Sequence, residues 1–359
     1  MSRFKYTYTP RRRPRPRSGG AIHISLSPLF LAPVLVLAIL GAWWLARDSG
    51  DSAPLKEPAV LAASCAPGRS CSESTPKATQ TATPKATQTG IPHPRSQAAP
   101  AVSEGDAPPI TGYSATVLED GCGEALFELN SHVSVPPASL TKIMTALVAV
   151  DRTEPNDVVR IDVNGPELSL ETDSTVMGIE PGMRLSMRDL LFGLLMRSGN
   201  DAAIQIAEEV GGSVPAFVRM MNEKADELGL TDTHFTNPHG LDDAALYSSA
   251  YDMAVMGREL LRDPLLAEIV QTQFYQPAWD GPALENLNLL LGTYPGIVGV
   301  KTGYTDLAGQ TIVAAAERDG RRIIVAVMGA QTEMYGDATG LLEWAFSETS
   351  ACGLTRTAR

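Results

Sequence analysis

The stretch that decides the fold lies late in the chain. It reads Gln310-Thr311-Ile312-Val313-Ala314-Ala315-Ala316-Glu317, then the pair Asp319-Gly320, then Arg322-Ile323-Ile324-Val325-Ala326-Val327-Met328-Gly329-Ala330. Two apolar runs of strand length joined through Asp-Gly predict a β-hairpin, because that pair accepts the positive φ a tight hairpin turn requires. A further apolar strand, Ile297–Lys301, precedes the hairpin. Far upstream, Tyr113–Leu118 and Ala125–Leu129 read as two strands around the turn Asp120-Gly121. Helical periodicity fills the space between, at Ser139–Val150, Met187–Met196, Asp201–Val210, Val214–Leu228 and Ala250–Arg262, and an amphipathic helix, Ala338–Phe346, follows the last strand. Strands at both ends with helices between predict an α+β fold. The sheet is antiparallel, assembled from N- and C-terminal strands and flanked by helices, with a helical subdomain between.

Outward from this region the chain changes character. The 359 residues carry a formal net charge of −12, but the charge is unevenly distributed. Residues 1–20 hold seven basic groups and no acid, residues 48–108 are nearly balanced, and the part from Pro109 onward has 16 basic against 35 acidic residues. A body so acidic repels polyphosphate, which argues against nucleic-acid binding. Ser18–Ala46 contains no formal charge, and Leu29–Leu45 is almost wholly apolar and ends in Trp43-Trp44. That length suits a membrane-spanning helix, and the basic residues before it place the N-terminus in the cytoplasm. The expected organisation is a basic cytoplasmic tip (1–20), a transmembrane signal anchor (21–46), a disordered Pro/Thr/Ala-rich linker (47–108), a folded head (109–346) and a short tail (347–359). A cleaved signal peptide is the alternative for the apolar segment, and the bulky Trp43-Trp44 pair argues against it.

The linker has ten prolines between residues 48 and 109 and an octapeptide repeat, Thr75-Pro76-Lys77-Ala78-Thr79-Gln80-Thr81 and Thr83-Pro84-Lys85-Ala86-Thr87-Gln88-Thr89. Such a sequence buries too little apolar surface to offset its ordering entropy and reads as a tether. Four cysteines outside the cytoplasm leave three pairings open, and also none. Cys65 with Cys71 would close a small loop, and Cys122 with Cys352 would join the ends of the head. The scattered histidines give no zinc pattern, so neither metal nor cofactor is expected.

Three short motifs carry the chemistry. Ser139-Leu140-Thr141-Lys142 opens a helix after Pro136-Pro137. Residues three apart share a helix face, so the hydroxyl of Ser139 and the amine of Lys142 can meet as nucleophile and base. Ser198-Gly199-Asn200 sits between two helical segments, and Lys301-Thr302-Gly303 closes an apolar strand. There Gly303 would let a substrate backbone lie against the strand edge while Lys301 and Thr302 hold an anionic group. Singly, each has a plain structural reading: a capping serine, a helix stop, a turn glycine. Their order and context agree with Ser-x-x-Lys, Ser-x-Asn and Lys-Thr-Gly, a set characteristic of penicillin-binding proteins.

The resemblance becomes specific in the surrounding residues, Pro137–Leu147, Arg197–Ala203, His234–Leu241 and Gly299–Thr305. Over roughly residues 110–346 the chain resembles the D-alanyl-D-alanine carboxypeptidases among the low-molecular-mass penicillin-binding proteins. This implies a β-lactamase/DD-peptidase-like fold and a serine enzyme that trims D-alanine from peptidoglycan stem peptides and is acylated by β-lactams. It implies Ser139 as nucleophile, Lys142 as general base, Ser198 as proton relay and Asn200 in orientation. Lys301 and Thr302 would bind the terminal carboxylate beside Gly303, and the backbone N–H groups of Ser139 and Tyr304 would form an oxyanion hole.

Departures from neighbouring families refine this. Gly199 stands where a β-lactamase triplet has Asp, and the sole Glu-x-x-Asn, Glu285 to Asn288, lies 16 residues before Lys301. Fast β-lactam hydrolysis is therefore not expected. Many relatives carry a C-terminal β-rich domain and an amphipathic tail. Thirteen residues follow Phe346, so the N-terminal anchor is expected to take the tail's place. A DD-endopeptidase acting on cross-links and a non-catalytic wall-binding protein are the other readings.

Overall fold

The computed structural model describes residues 107–279 and 281–349. The basic tip, the apolar segment and almost all of the tether lie outside the described residues, as do Cys65, Cys71 and Cys352. Cys122 is disulfide-bonded.

The hairpin forms where the turn chemistry places it. Strands β8 (Gly309–Arg318) and β9 (Arg321–Ala330) pair antiparallel, with Arg318 opposite Arg321. Between them Asp319 and Gly320 take φ values of 53° and 77°. On the far side of β9, β1 (Ser114–Glu119) runs antiparallel, from Ser114 opposite Met328 to Glu119 opposite Ile323. The edge strand β2 (Ala125–Leu129) completes that side, and β7 (Ile297–Thr305) forms the other edge against β8. The order β2-β1-β9-β8-β7 is the antiparallel sheet expected from pieces at both ends of the chain.

Both faces of the sheet are covered. Because strand side chains alternate, Ile312, Ala314, Ile323, Val325 and Val327 face one side with Leu341 and Leu342 of the C-terminal helix Met334–Glu348. Val313, Ala315, Ile324, Ala326 and Met328 face the other, against the remaining helices. Those helices are α1 (Thr141–Val150), α2 (Gly165–Thr172), α3 (Met187–Met196), α4 (Asn200–Gly211), α5 (Val214–Glu227), α6 (Ala250–Leu260) and α7 (Pro264–Gln271), and the C-terminal helix is α8. Two small sheets complete the described elements: β3 (Val158–Arg160) with β4 (Arg184–Ser186), and β5 (Phe274–Tyr275) with β6 (Leu284–Glu285).

Helix α1 is the axis of the helical part. Nine of its residues, Thr141 to Ala149, are buried, and it packs on α3, α4, α5 and α6. A helix apolar on all sides belongs in a core. The Ser-x-x-Lys segment thus leads into a helix buried in the core.

Four expectations are amended. The strand read as closing at Lys301 continues to Thr305, because Thr302 to Thr305 keep pairing with Ile312 to Gly309. The final helix extends from Met334 to Glu348. Helix α2 went unread because it buries only Gly165 and so shows no apolar stripe. Helix α7 lay hidden behind the preceding helix, although Asp263 caps the N–H of Leu266 and Pro264 opens the first turn.

Candidate active site

Ser139 sits in a 3-10 turn, Ala138–Leu140, that runs directly into α1. Its Oγ lies 3.0 Å from Lys142 Nζ, the spacing that one helical turn allows. Lys142 is fully buried. Burial, and then the charge of Lys301, hold its pKa well below the usual lysine range, while Asp201 pulls the other way. The amine also donates a 2.6 Å hydrogen bond to the carbonyl of His239.

The loop supplying that carbonyl is built by turn chemistry. Asn237 Oδ1 accepts from the N–H groups of His239 and Gly240, and Thr145 of α1 donates to Pro238 O at 2.6 Å. Gly240 has φ +91°, and a Cβ there would stand 1.9 Å from Ala138 O. No other residue permits that approach. The His239 ring, held neutral at about 3 by burial and by Lys142, accepts the N–H of Leu241 on Nδ1.

Ser198 takes φ 60°, left-handed for a non-glycine residue, a strain of about 1 kcal/mol that the surrounding fold maintains. It is 6% exposed, and Asn200, the first residue of α4, is 4% exposed. Asp201 fixes this junction. Its carboxylate accepts from the backbone N–H groups of Met177, Gly178, Ile179 and Ala202, binding the start of α4 to the loop after α2.

Edge strand β7 brings the third motif. Lys301 is 1% exposed, its pKa is drawn down to about 7 by burial, and its Nζ donates to Thr302 O at 2.7 Å. Gly303 is pressed against the Ser139 turn: a Cβ on it would lie 2.6 Å from Thr311 Oγ1 and 2.9 Å from Ser139 N. The backbone N–H of Ser139 is therefore brought up to β7.

The structure thus gathers all the residues expected from sequence. Ser139, Ser198, Asn200, Thr302, Gly303 and Tyr304 line one cleft of about 620 Å³. Lys142 and Lys301 are buried beneath its wall. Sequence reasoning assigned no part to the His239 carbonyl, to Asp201 or to Asp173, Asp242, Met334 and Tyr335, which also line the cleft or support it. The turn-forming Asn237-Pro238-His239-Gly240 was the one local signal available for the first of these. Among the described residues no group of three or more His, Cys, Asp or Glu is placed to hold a metal ion.

Comparison with known proteins agrees with this geometry. A family profile described as D-alanyl-D-alanine carboxypeptidase matches residues 101–332, and the chain belongs to that family. It is 38% identical over 241 residues to D-alanyl-D-alanine carboxypeptidase DacF of Bacillus subtilis, covering 66% of this chain and 62% of the relative. The chain therefore spans less than two thirds of that protein's length. The solved D-alanyl-D-alanine carboxypeptidase of Mycobacterium tuberculosis superposes with a TM-score of 0.65 at 33% identity, covering 70% of this chain and 97% of that one. A Streptomyces DD-transpeptidase gives 0.65 at 27% identity, covering 67% and 99%.

Proposed function

We propose that the protein is a serine-type D-Ala-D-Ala carboxypeptidase that releases the terminal D-alanine of peptidoglycan stem peptides. The observation that carries this reading is the 3.0 Å contact of Ser139 Oγ with a fully buried lysine, on the floor of a cleft lined by Ser198, Asn200 and Thr302.

Lys142, its pKa held well below the usual lysine range by burial and by Lys301, takes the proton of Ser139 as Oγ attacks the carbonyl joining the two D-alanines. The His239 carbonyl holds one N–H of the amine, which turns the lone pair towards Ser139. Charge developing on the carbonyl oxygen is met by the N–H groups of Ser139 and Tyr304, on the order of 3 kcal/mol for each donor. Ser198 passes a proton to the departing amine, and Asn200 orients the substrate amide. Thr302 receives the terminal carboxylate directly, and Lys301, 1% exposed with a pKa of about 7, lies beneath it, where an arriving carboxylate favours its charged form. Water then hydrolyses the ester on Ser139. A β-lactam, which mimics D-Ala-D-Ala, acylates the same oxygen.

The anchor at residues 21–46 holds the protein to the membrane, with residues 47–108 as tether and the head from about Pro109 outside the cytoplasm. The family match and the composition of residues 1–108 support this placement. The test uses the full-length protein with a fluorescent penicillin and an acyl-pentapeptide. Covalent labelling that vanishes in Ser139→Ala, together with D-alanine release, is the expected result. Equal labelling of Ser139→Ala, or no labelling of the unaltered protein, overturns the reading.

A further inference from the structure

Asp201 follows the Ser198-Gly199-Asn200 motif directly, is fully buried, and has no basic side chain at ion-pair distance among the described residues. A carboxylate so placed is costly unless other donors replace water. Four backbone groups do so. Met177 N and Ala202 N donate to Oδ1, each at 2.9 Å, and Gly178 N and Ile179 N donate to Oδ2 at 2.8 and 3.1 Å. Only Ala202 belongs to the same helix, so capping of α4 does not account for the arrangement. The other three lie just after Asp173, Ser174 and Thr175, which line the cleft.

The chain leaves room for this group from two sides. A Cβ on Gly199 would stand 2.8 Å from Oδ1, and one on Gly165, the first residue of α2, would stand 2.4 Å from Oδ2. The neighbouring backbone is bound as well: Asn200 N donates to Thr175 O at 2.8 Å, and Gly199 N to Gly193 O at 3.0 Å. Left-handed Ser198 and the adjoining Asn200 are thereby clamped between α3, the segment after α2, and α4.

The same carboxylate bears on Lys142. Among the described residues the charged groups acting on that amine are Lys301, from β7, and Asp201, from α4, and they act in opposite directions. The His239 ring, on the loop beside the amine, is neutral. Held by four donors, the Asp201 charge is fixed in place before any substrate arrives. We infer that Asp201 is a positioning residue of the reaction, clamping Ser198 and Asn200 at the cleft and balancing from α4 the positive charge that Lys301 sets against Lys142. The inference rests on the reading of the cleft as a serine peptidase site. Asp201 does not itself line that cleft.

The test follows the rate of acylation of the full-length protein by a fluorescent penicillin as a function of pH. Asp201→Asn keeps the shape of the side chain, removes its charge, and leaves one oxygen to accept where two did. On the acid limb of the profile Lys142 gains a proton and ceases to act as base. That limb is expected to move about one pH unit lower, because the anion that favoured the charged amine is gone. The plateau rate is expected to fall about tenfold or more as Ser198 and Asn200 lose their clamp. Gly165→Ala is the complement. It keeps the charge but crowds Oδ2 from outside the cleft, so the rate should fall about tenfold with the acid limb in place. An acid needed only for folding would lower the yield of folded protein without moving the limb. An acid limb unmoved in folded Asp201→Asn overturns the inference, whatever the rate. If that variant shows no urea unfolding transition, Gly165→Ala decides, and an unchanged rate overturns the inference. The two levels of failure stay distinct. Unaltered protein that takes no penicillin removes the peptidase reading, and the role of Asp201 with it. Normal labelling with an unmoved limb removes only the role of Asp201.

Discussion

Two regions of the molecule bury cations, and they treat them in opposite ways. At the end of the sheet Arg321, with a side chain 12% exposed, is paired with Glu119 at 2.7 Å and also donates to the carbonyls of Ala345 and Thr349. In the cleft, Lys142 and Lys301 are buried more completely, yet neither has a carboxylate in contact among the described residues. The side chains explain the difference. A guanidinium cannot shed its proton, so a buried arginine must be fully compensated, whereas a buried amine can become neutral. The first region uses burial to hold the fold together, and the second, on the function proposed above, uses it to make a base.

The comparison breaks most readily at Lys142. Lys142→Met is expected to lower the rate of acylation by penicillin by about 10³-fold or more, because the proposed nucleophile, Ser139, loses its proposed base. Stability at pH 7 should be unchanged or higher in the same protein, since an apolar side chain replaces a buried amine that has no carboxylate partner among the described residues. A urea midpoint that falls as the acylation rate falls would show that Lys142 holds the fold as Arg321 does.

Glu119→Ala is the converse experiment. It removes the Glu119 carboxylate from the largely buried Arg321 and should cost about 3–5 kcal/mol in urea unfolding. The protein that remains folded should be acylated at the original rate, and a large loss of rate would erase the distinction between the two regions. Gly303→Ala sharpens the picture within the cleft. Its Cβ pushes against Ser139 N and Thr311 Oγ1, and a misplacement of this kind costs about 10²-fold in acylation rate.

The smallest effect is read from pH. Lys301 has a folded pKa of about 7, below its value in the unfolded chain. Between about pH 7 and 10 the unfolded chain therefore holds a proton that the folded chain has lost. Stability contributed by this group must rise with pH across that window, by up to about 1.4 kcal/mol per unit. Below pH 7 both states are protonated and the term is flat. Lys142, also lowered, acts in the same direction. Urea midpoints measured across the window should rise less steeply in Lys301→Met, and an identical slope would contradict the low pKa.

The sheet was legible in the sequence because its signals are local. Apolar runs bracketing Asp319-Gly320 define a hairpin without reference to anything distant, and the motif residues Ser139 and Lys142 are one helical turn apart. The strand end was placed at Lys301, short of Gly303, because glycine ordinarily punctuates a strand. Here it serves a close approach to Ser139 that only the packed structure reveals. The loop donors Met177, Gly178 and Ile179 on Asp201, the His239 carbonyl and Asp242 were illegible for a related reason. They come from loops without periodicity, and their partners lie tens to about a hundred residues away. Helix α2 escaped because a helix lying on the surface leaves no apolar stripe to read.

The pairing of β1 with β9 also has a consequence in time. Ser114 finds its partner at Met328, and synthesis delivers the two strands roughly two hundred residues apart. Ser139 and Lys142 emerge early, whereas β7, which must press Gly303 against them, joins a sheet that β9 completes. Contacts so remote in sequence form slowly and late. A growing chain that already carries Ser139 and Lys142 thus has no cleft in which to use them. On the function proposed above, competence requires residues through Ala330, so the order of translation itself leaves the unfinished protein inert.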